Sequence, residues 1–253
     1  MSVNTTITCE TADDCSRIRL SRGVTNTLTT ELFRDLSSAL DNAEKNTRGA
    51  MLCGGDKFFS NGVDVAWALT LSPGEVREMF LELGGCILKL LELTIPTVGA
   101  AKGHAMGGAF ALLLACDYRY GATGHAVFGK PEPLLGVPNP YFGDQLFRFV
   151  AGDFTASDLI YTGRLISARE AHDLHLLHGV ADKEIIEAEG WKQLLVLRDL
   201  ARNAFAESKR MRTEHLCARL REQMSARVAR QVEIWHSPEA QERLQKAAKR
   251  LSR

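Results

Sequence analysis

The ten residues from Pro131 to Pro140 hold four of the chain's seven prolines, at 131, 133, 138 and 140. Proline fixes φ and removes an amide donor, so this stretch must be loop or turn. It separates two parts of different rhythm. Before it, short apolar strands alternate with helices; after it, nearly everything reads as helical. Strand–helix alternation predicts a layered α/β architecture, here followed by a helical extension.

The individual elements follow from periodicity. Thr5–Cys9 and Ser16–Leu20 alternate as two strands joined by a turn. Thr29–Asn46 reads as an amphipathic helix opened by a capping threonine. Gly49–Cys53 is a short apolar strand ending at Gly54-Gly55-Asp56. Glu75–Leu93 is a second helix, with Met79, Leu83, Cys86, Ile87 and Leu90 on one face. Pro96 stops that pattern, and Thr97–Ala101 is a buried strand. Gly103–Gly108 then turns the chain into an apolar helix over Ala109–Cys116. Tyr118–Tyr120 and Ala126–Phe128 read as further strands.

Composition narrows the function classes. The 253 residues are 45% apolar and 25% charged with zero net charge, as in a soluble globular protein that does not bind nucleic acid. Charge is uneven: Lys209–Arg253 carries twelve Lys and Arg against five Glu. That tail reads as a solvated helical face, or as a surface for phosphates or an acidic partner. The six cysteines include no C-x-x-C pair, so neither a zinc site nor a redox motif is expected. The N-terminal segment MSVNTTITCE lacks the pattern of a signal peptide, and the longest apolar run, Ala105–Cys116, is too short to span a bilayer. The expected compartment is the cytoplasm. His172, His175 and His178 recur every three residues, which reads as an exposed helix face rather than a metal site.

Two glycine turns are the candidates for chemistry. One is Lys57–Asp64 (KFFSNGVD), just after a strand; the other is Gly103–Gly108 (GHAMGG), between a strand and a helix. Glycine admits close backbone approach, and a helix N-terminus supplies free N–H groups and positive dipole, so together they suit an anionic oxygen. The second turn has neither dinucleotide-fingerprint nor P-loop spacing, and no G-x-S-x-G elbow is present.

In combination these segments resemble the enoyl-CoA hydratase/isomerase, or crotonase, family. The resemblance runs over almost the whole chain: RGVTNTL at Arg22–Leu28, with Gly23 where the family has proline, FFSNGVDVAW at Phe58–Trp67, GHAMGGAFALLLACD at Gly103–Asp117, and LISAREA at Leu165–Ala171. It implies a ββα spiral core over residues 1–195 and a C-terminal helical oligomerisation region over 196–253, assembled as trimers or hexamers. It also implies that the N–H groups of Val63 and Gly108 form an oxyanion hole for a thioester carbonyl. The substrate-binding set it implies is Ser60, Asn61, Gly62, Asp64, Ala66, Gly107, Val24, Leu135 and Phe142, with Asp64 also bracing its loop. No metal or separate cofactor is expected; coenzyme A enters as part of the substrate.

Hydratases of the family use two glutamates. The first lies three residues beyond the oxyanion glycine, where this chain has Ala111, and neighbouring Phe110 cannot replace it. The second matches Glu132 in Lys130-Pro131-Glu132-Pro133. One base plus an oxyanion hole is the kit for allylic isomerisation, so the resemblance is nearest to monofunctional 3,2-enoyl-CoA isomerases, with Phe58, Trp67, Leu135, Val137, Tyr141 and Phe142 as the expected acyl pocket. The rival readings are a decarboxylase or isomerase acting on polyketide intermediates held by an acyl carrier protein, with Asp144 as a second acid, an enoyl-CoA hydratase, and a non-catalytic member of the family.

Overall fold

A computed structural model describes residues 6–251. Residues 1–5 and 252–253 lie outside them, and with them Thr5 of the first expected strand, the start of the expected leaderless segment and the last residues of the expected C-terminal region.

The chain opens with a hairpin, β1 (Ile7–Ala12) and β2 (Cys15–Leu20), paired antiparallel with Ala12 opposite Cys15. Asp13 and Asp14 both sit at positive φ (50° and 56°), which closes a two-residue turn matched to strand twist. The first strand therefore runs three residues further than expected. Helix α1 (Thr30–Asn46) begins where the sequence places it, with Thr29 Oγ1 accepting from the Leu32 N–H at 3.4 Å.

Three ββα turns follow. The first has β3 (Gly49–Cys53), β4 (Phe58–Ser60), the short α2 (Val65–Ala68) and α3 (Pro73–Glu92). The second has β5 (Thr97–Ala101), β6 (His104–Met106) and α4 (Gly108–Leu114). The third has β7 (Tyr118–Ala122), β8 (Val127–Gly129), a 3₁₀ turn at Glu132–Leu135 inside the proline-rich stretch, and α5 (Tyr141–Thr162). In each turn the first strand joins a six-stranded sheet ordered β1-β2-β3-β5-β7-β10, with β10 at Gly179–Ala181, and the second joins a four-stranded sheet ordered β4-β6-β8-β9, with β9 at Leu165–Ser167. Helix α3 starts two residues earlier than periodicity suggested. Ser72 and Glu75 form a reciprocal capping box and Pro73 takes the first helical position, where its missing N–H costs nothing.

The second half is not all helix. Short strands β9 (Leu165–Ser167) and β10 (Gly179–Ala181), separated by α6 (Ala168–Asp173), complete the two sheets. Each has only three residues, too few for alternation to register. Helix α6 also ends the expected histidine face. His175 lies beyond it at φ 61°, and His178 stacks on Tyr118 at 4.4 Å, so the three histidines share no helix.

Helix α7 (Ile186–Arg198) covers the outer face of the larger sheet, packing Leu194 and Leu197 against Cys15, Met51, Val98 and Ala100. Helices α8 (Arg202–Trp235) and α9 (Pro238–Leu251) fold back onto the spiral, where Leu216, Leu220, Val232, Trp235 and Leu244 join the main core. No helix among the described residues is long and apolar enough to cross a membrane.

Candidate active site

Both glycine turns reach one cavity of about 650 Å³. The first turn is pinned by residues 25–28. Asn61 N–H donates to Thr25 O (2.9 Å), Leu28 N–H to Gly62 O (2.8 Å), and Asp64 N–H to Leu28 O (3.0 Å). In this parallel bridge residues 62 and 64 make the bonds, so the N–H of Val63 points away from Leu28. No described hydrogen bond uses it.

Side chains lock the loop further. Buried Asn26 accepts from the Arg22 N–H (2.9 Å) and donates to Phe58 O (3.3 Å) and Phe59 O (3.4 Å). Ser60 Oγ accepts from the Gly62 N–H at 3.1 Å. Asp64 caps α2 by accepting from Trp67 N–H (3.1 Å), and its other oxygen takes Arg22 (3.0 Å) and Thr27 (3.1 Å). Burial alone would raise the Asp64 carboxyl, but these hydrogen bonds outweigh it and hold the group below its ordinary value.

The second turn is set by strand pairing. β6 lies parallel to both β4 and β8, and Gly107 N–H donates to Gly129 O at 2.8 Å. Gly107 has φ 55° and ψ −122°, a conformation open to glycine alone, and a Cβ there would meet Glu132 Oε1 at 3.4 Å. Gly108 opens α4, so its N–H has no intrahelical acceptor and sits at the positive end of the helix.

Glu132 opens the 3₁₀ turn, placed by β8, which ends three residues before it. Its side chain is 13% exposed and lines the cavity beside both turns. Oε1 pairs with the ammonium of Lys130 at 2.8 Å, and Lys130 is wholly buried. Oε2 is buried and has no hydrogen-bond partner among the described residues. Among the described residues, the cavity wall thus carries Val63 and Gly108, whose N–H groups have no acceptor, and a carboxylate oxygen of Glu132 without a partner. That set can stabilise an enolate oxygen and move a proton on the adjacent carbon.

Of the residues singled out from sequence, Asn61, Gly62, Val63, Gly107, Gly108, Glu132, Leu135 and Val137 line this cavity. Ser60 and Asp64 act behind it. Ala66 and Val24 are exposed, Val24 at 77%, and neither is on the cavity wall. Phe142 is fully buried in the core, and Phe58, Trp67 and Tyr141 also lie off the wall. In their place Phe80 and Leu83 of α3, Trp235 of α8 and Leu244 of α9 supply apolar surface. Asp144 is engaged by Arg148 (2.9 Å) away from the cavity. Ala111 is buried in the core. Two further carboxylates on the wall, Glu239 and Glu242, belong to α9, are largely exposed and pair with Arg243 and Lys246. Among the described residues no group of three His, Cys, Asp or Glu is arranged to hold a metal.

Sequence reasoning missed Lys130. A lysine beside proline in a loop looks like a surface residue, and nothing in its spacing marks burial. It also missed the part α8 and α9 play in the cavity wall, which periodicity cannot reveal.

The two interleaved sheets wound in ββα turns are a crotonase-like fold. The structure of human mitochondrial delta3-delta2-enoyl-CoA isomerase superposes with a TM-score of 0.93 at 22% identity, covering 98% of each chain. Enoyl-CoA hydratase from Bacillus halodurans superposes with 0.87 at 22% identity, covering 95% of this chain and 99% of that one. The profile of the enoyl-CoA hydratase/isomerase family matches residues 10–251, and the chain belongs to that family. A crotonyl-CoA hydratase of Syntrophomonas wolfei is 37% identical over 131 residues, 51% of this chain and 50% of that protein. A probable enoyl-CoA hydratase of Bacillus subtilis is 34% identical over 167 residues, 64% of either chain. The chain thus spans between half and just under two-thirds of these relatives' length.

Proposed function

We propose that this protein is a 3-enoyl thioester isomerase that works through a single carboxylate. The observation that carries the reading is the pairing of Glu132, with its unpartnered Oε2, and a buried methyl at Ala111 where a hydratase has its other glutamate. Oε2 removes a C2 proton of a 3-enoyl-CoA. The electron pair spreads over the thioester carbonyl and the alkene, and the N–H groups of Val63 and Gly108 take the charge on oxygen. The protonated carboxyl then delivers the proton to C4, giving the conjugated 2-enoyl-CoA and restoring the carboxylate. No second acid, water or cofactor enters, and each donor contributes about 3 kcal/mol.

The rest of the cavity suits an acyl-CoA. Phe80, Leu83, Trp235 and Leu244 offer an apolar wall for the chain, and Arg243, Lys246 and Arg250 of α9 offer cations for phosphates. An acyl-pantetheine on a carrier protein would present the same thioester. We further propose a cytoplasmic homotrimer or hexamer, with the region 196–253 at the subunit contacts.

The test is Glu132→Gln. The amide oxygen can still accept from Lys130, so the fold is expected to hold. Conversion of 3-hexenoyl-CoA to 2-hexenoyl-CoA should fall by about a thousandfold. Retained isomerisation in that variant, or hydration of 2-hexenoyl-CoA by the wild type, overturns the reading.

A further inference from the structure

Lys130 is the unexplained group at this site. It is a fully buried lysine, two residues from the proposed base, and burying an ammonium is costly unless its partners are in place. It has two. Nζ lies 2.8 Å from Glu132 Oε1, and it donates to the carbonyl oxygen of Gly107 at 3.3 Å. That second partner matters. The Gly107 carbonyl belongs to the same peptide unit as the N–H of Gly108. Its oxygen also accepts from the Ala111 N–H at 3.2 Å, so the unit is hydrogen-bonded at its carbonyl from two sides. Drawing electron density toward that oxygen makes the N–H at the other end a better donor, because hydrogen bonds in series polarise one another at low dielectric.

We infer that Lys130 is a positioning residue that couples the base to the oxyanion hole: it fixes Glu132 through Oε1, leaves Oε2 as the oxygen that moves the proton, and polarises the peptide whose N–H receives the enolate charge. The inference rests on the enolate chemistry proposed above.

The local structure provides for this arrangement. β8 ends at Gly129, whose carbonyl holds the Gly107 N–H, and Lys130 is the next residue. Room for the ammonium comes from α5. A Cβ on Gly143 would stand 3.2 Å from Lys130 Nζ and 3.0 Å from Asn139 Oδ1. The ammonium is wholly buried among Glu132, the second glycine turn and α5, and Lys130 is not on the cavity wall.

The experiment compares wild type, Lys130→Met and Lys130→Gln, with fold checked by circular dichroism. Two readouts are taken on 3-hexenoyl-CoA: its isomerisation, and exchange of its C2 protons in deuterated water. Exchange needs the base and the donors but not delivery to C4. For Lys130→Met, kcat and exchange should each fall by about a hundredfold, the cost of misplacing a reacting group or weakening a donor. KM should stay within about threefold, since the ground-state contacts are untouched. Lys130→Gln keeps a neutral donor and should recover at least about tenfold of that loss.

A folded Lys130→Met with wild-type kcat makes the lysine merely structural and overturns the inference. If Lys130→Met does not fold, Lys130→Gln decides: full wild-type kcat overturns the inference, and a reduced kcat at unchanged KM supports it. If the wild type exchanges C2 protons without isomerising, the isomerase reading fails, and the exchange rates of the variants still judge Lys130. If the wild type neither exchanges nor isomerises, both proposals fall.

Discussion

The two glycine turns line the same cavity but are held in different ways. The first, at residues 60–64, adds to its backbone bonds with residues 25–28 a clamp of polar side chains: Asn26, Ser60, and Asp64 with its partners Arg22 and Thr27. The second, at residues 103–108, is held by backbone pairing to β8 and by glycines where no side chain fits. A turn built from side chains can be loosened one bond at a time. A turn built from close backbone contacts tolerates almost nothing at the contact itself.

Substitutions should expose that difference. The largest effect is expected at Gly103, where a Cβ would overlap the backbone carbonyl of Lys57. Gly103→Ala should cost about 3 kcal/mol or more in denaturant unfolding, because backbone rather than a flexible side chain must move. A loss below about 1 kcal/mol would mean the second turn is as compliant as the first. Next is Asn26→Ala, which removes three hydrogen bonds and leaves alanine at φ 46°. It should cost about 2 kcal/mol and raise hydrogen exchange selectively across residues 58–63.

The smallest effect concerns acid. The folded-state carboxyl of Asp64 lies below its ordinary value, so its contribution is fully present above the model-peptide value of about 3.8 and is lost as pH falls below that toward the folded value. Acidification from pH 5 to pH 3 should therefore reduce amide protection in residues 61–68 more than in residues 104–110. Asp64→Ala should abolish the difference. Equal loss in both turns would remove acid sensitivity as a distinction between them.

The same contrast governs how much was legible in sequence. β3 and β5 read correctly to the residue, because five consecutive buried apolar or small residues bounded by turn residues leave little choice. The start of α1 was given by its capping threonine. Val63, Gly108 and Glu132, the proposed donors and base, were reached through resemblance, and all three line one cavity. What failed was whatever depends on distant packing. Phe142 looked like pocket wall and is core; Trp235 and Leu244 looked like an extension and form the wall. β9 and β10 owe their existence to partners already in place, since three residues carry no period. Lys130 was invisible because burial is decided by α5, which meets it only in the folded chain.

The pairing of β6 with β8 has a consequence for tolerance. Gly107 follows directly from one of these strands and Lys130 from the other, and Gly107 N–H is bonded to Gly129 O across the seam. The proposed donor at Gly108 and the proposed base Glu132 are thus measured from a shared datum. A strain that shifts the seam as a whole carries both along and leaves their separation unchanged, so only errors arising within the few residues after each strand count. Mutations that tilt the smaller sheet should be better tolerated than their distance from the cavity suggests, provided the β6–β8 register survives.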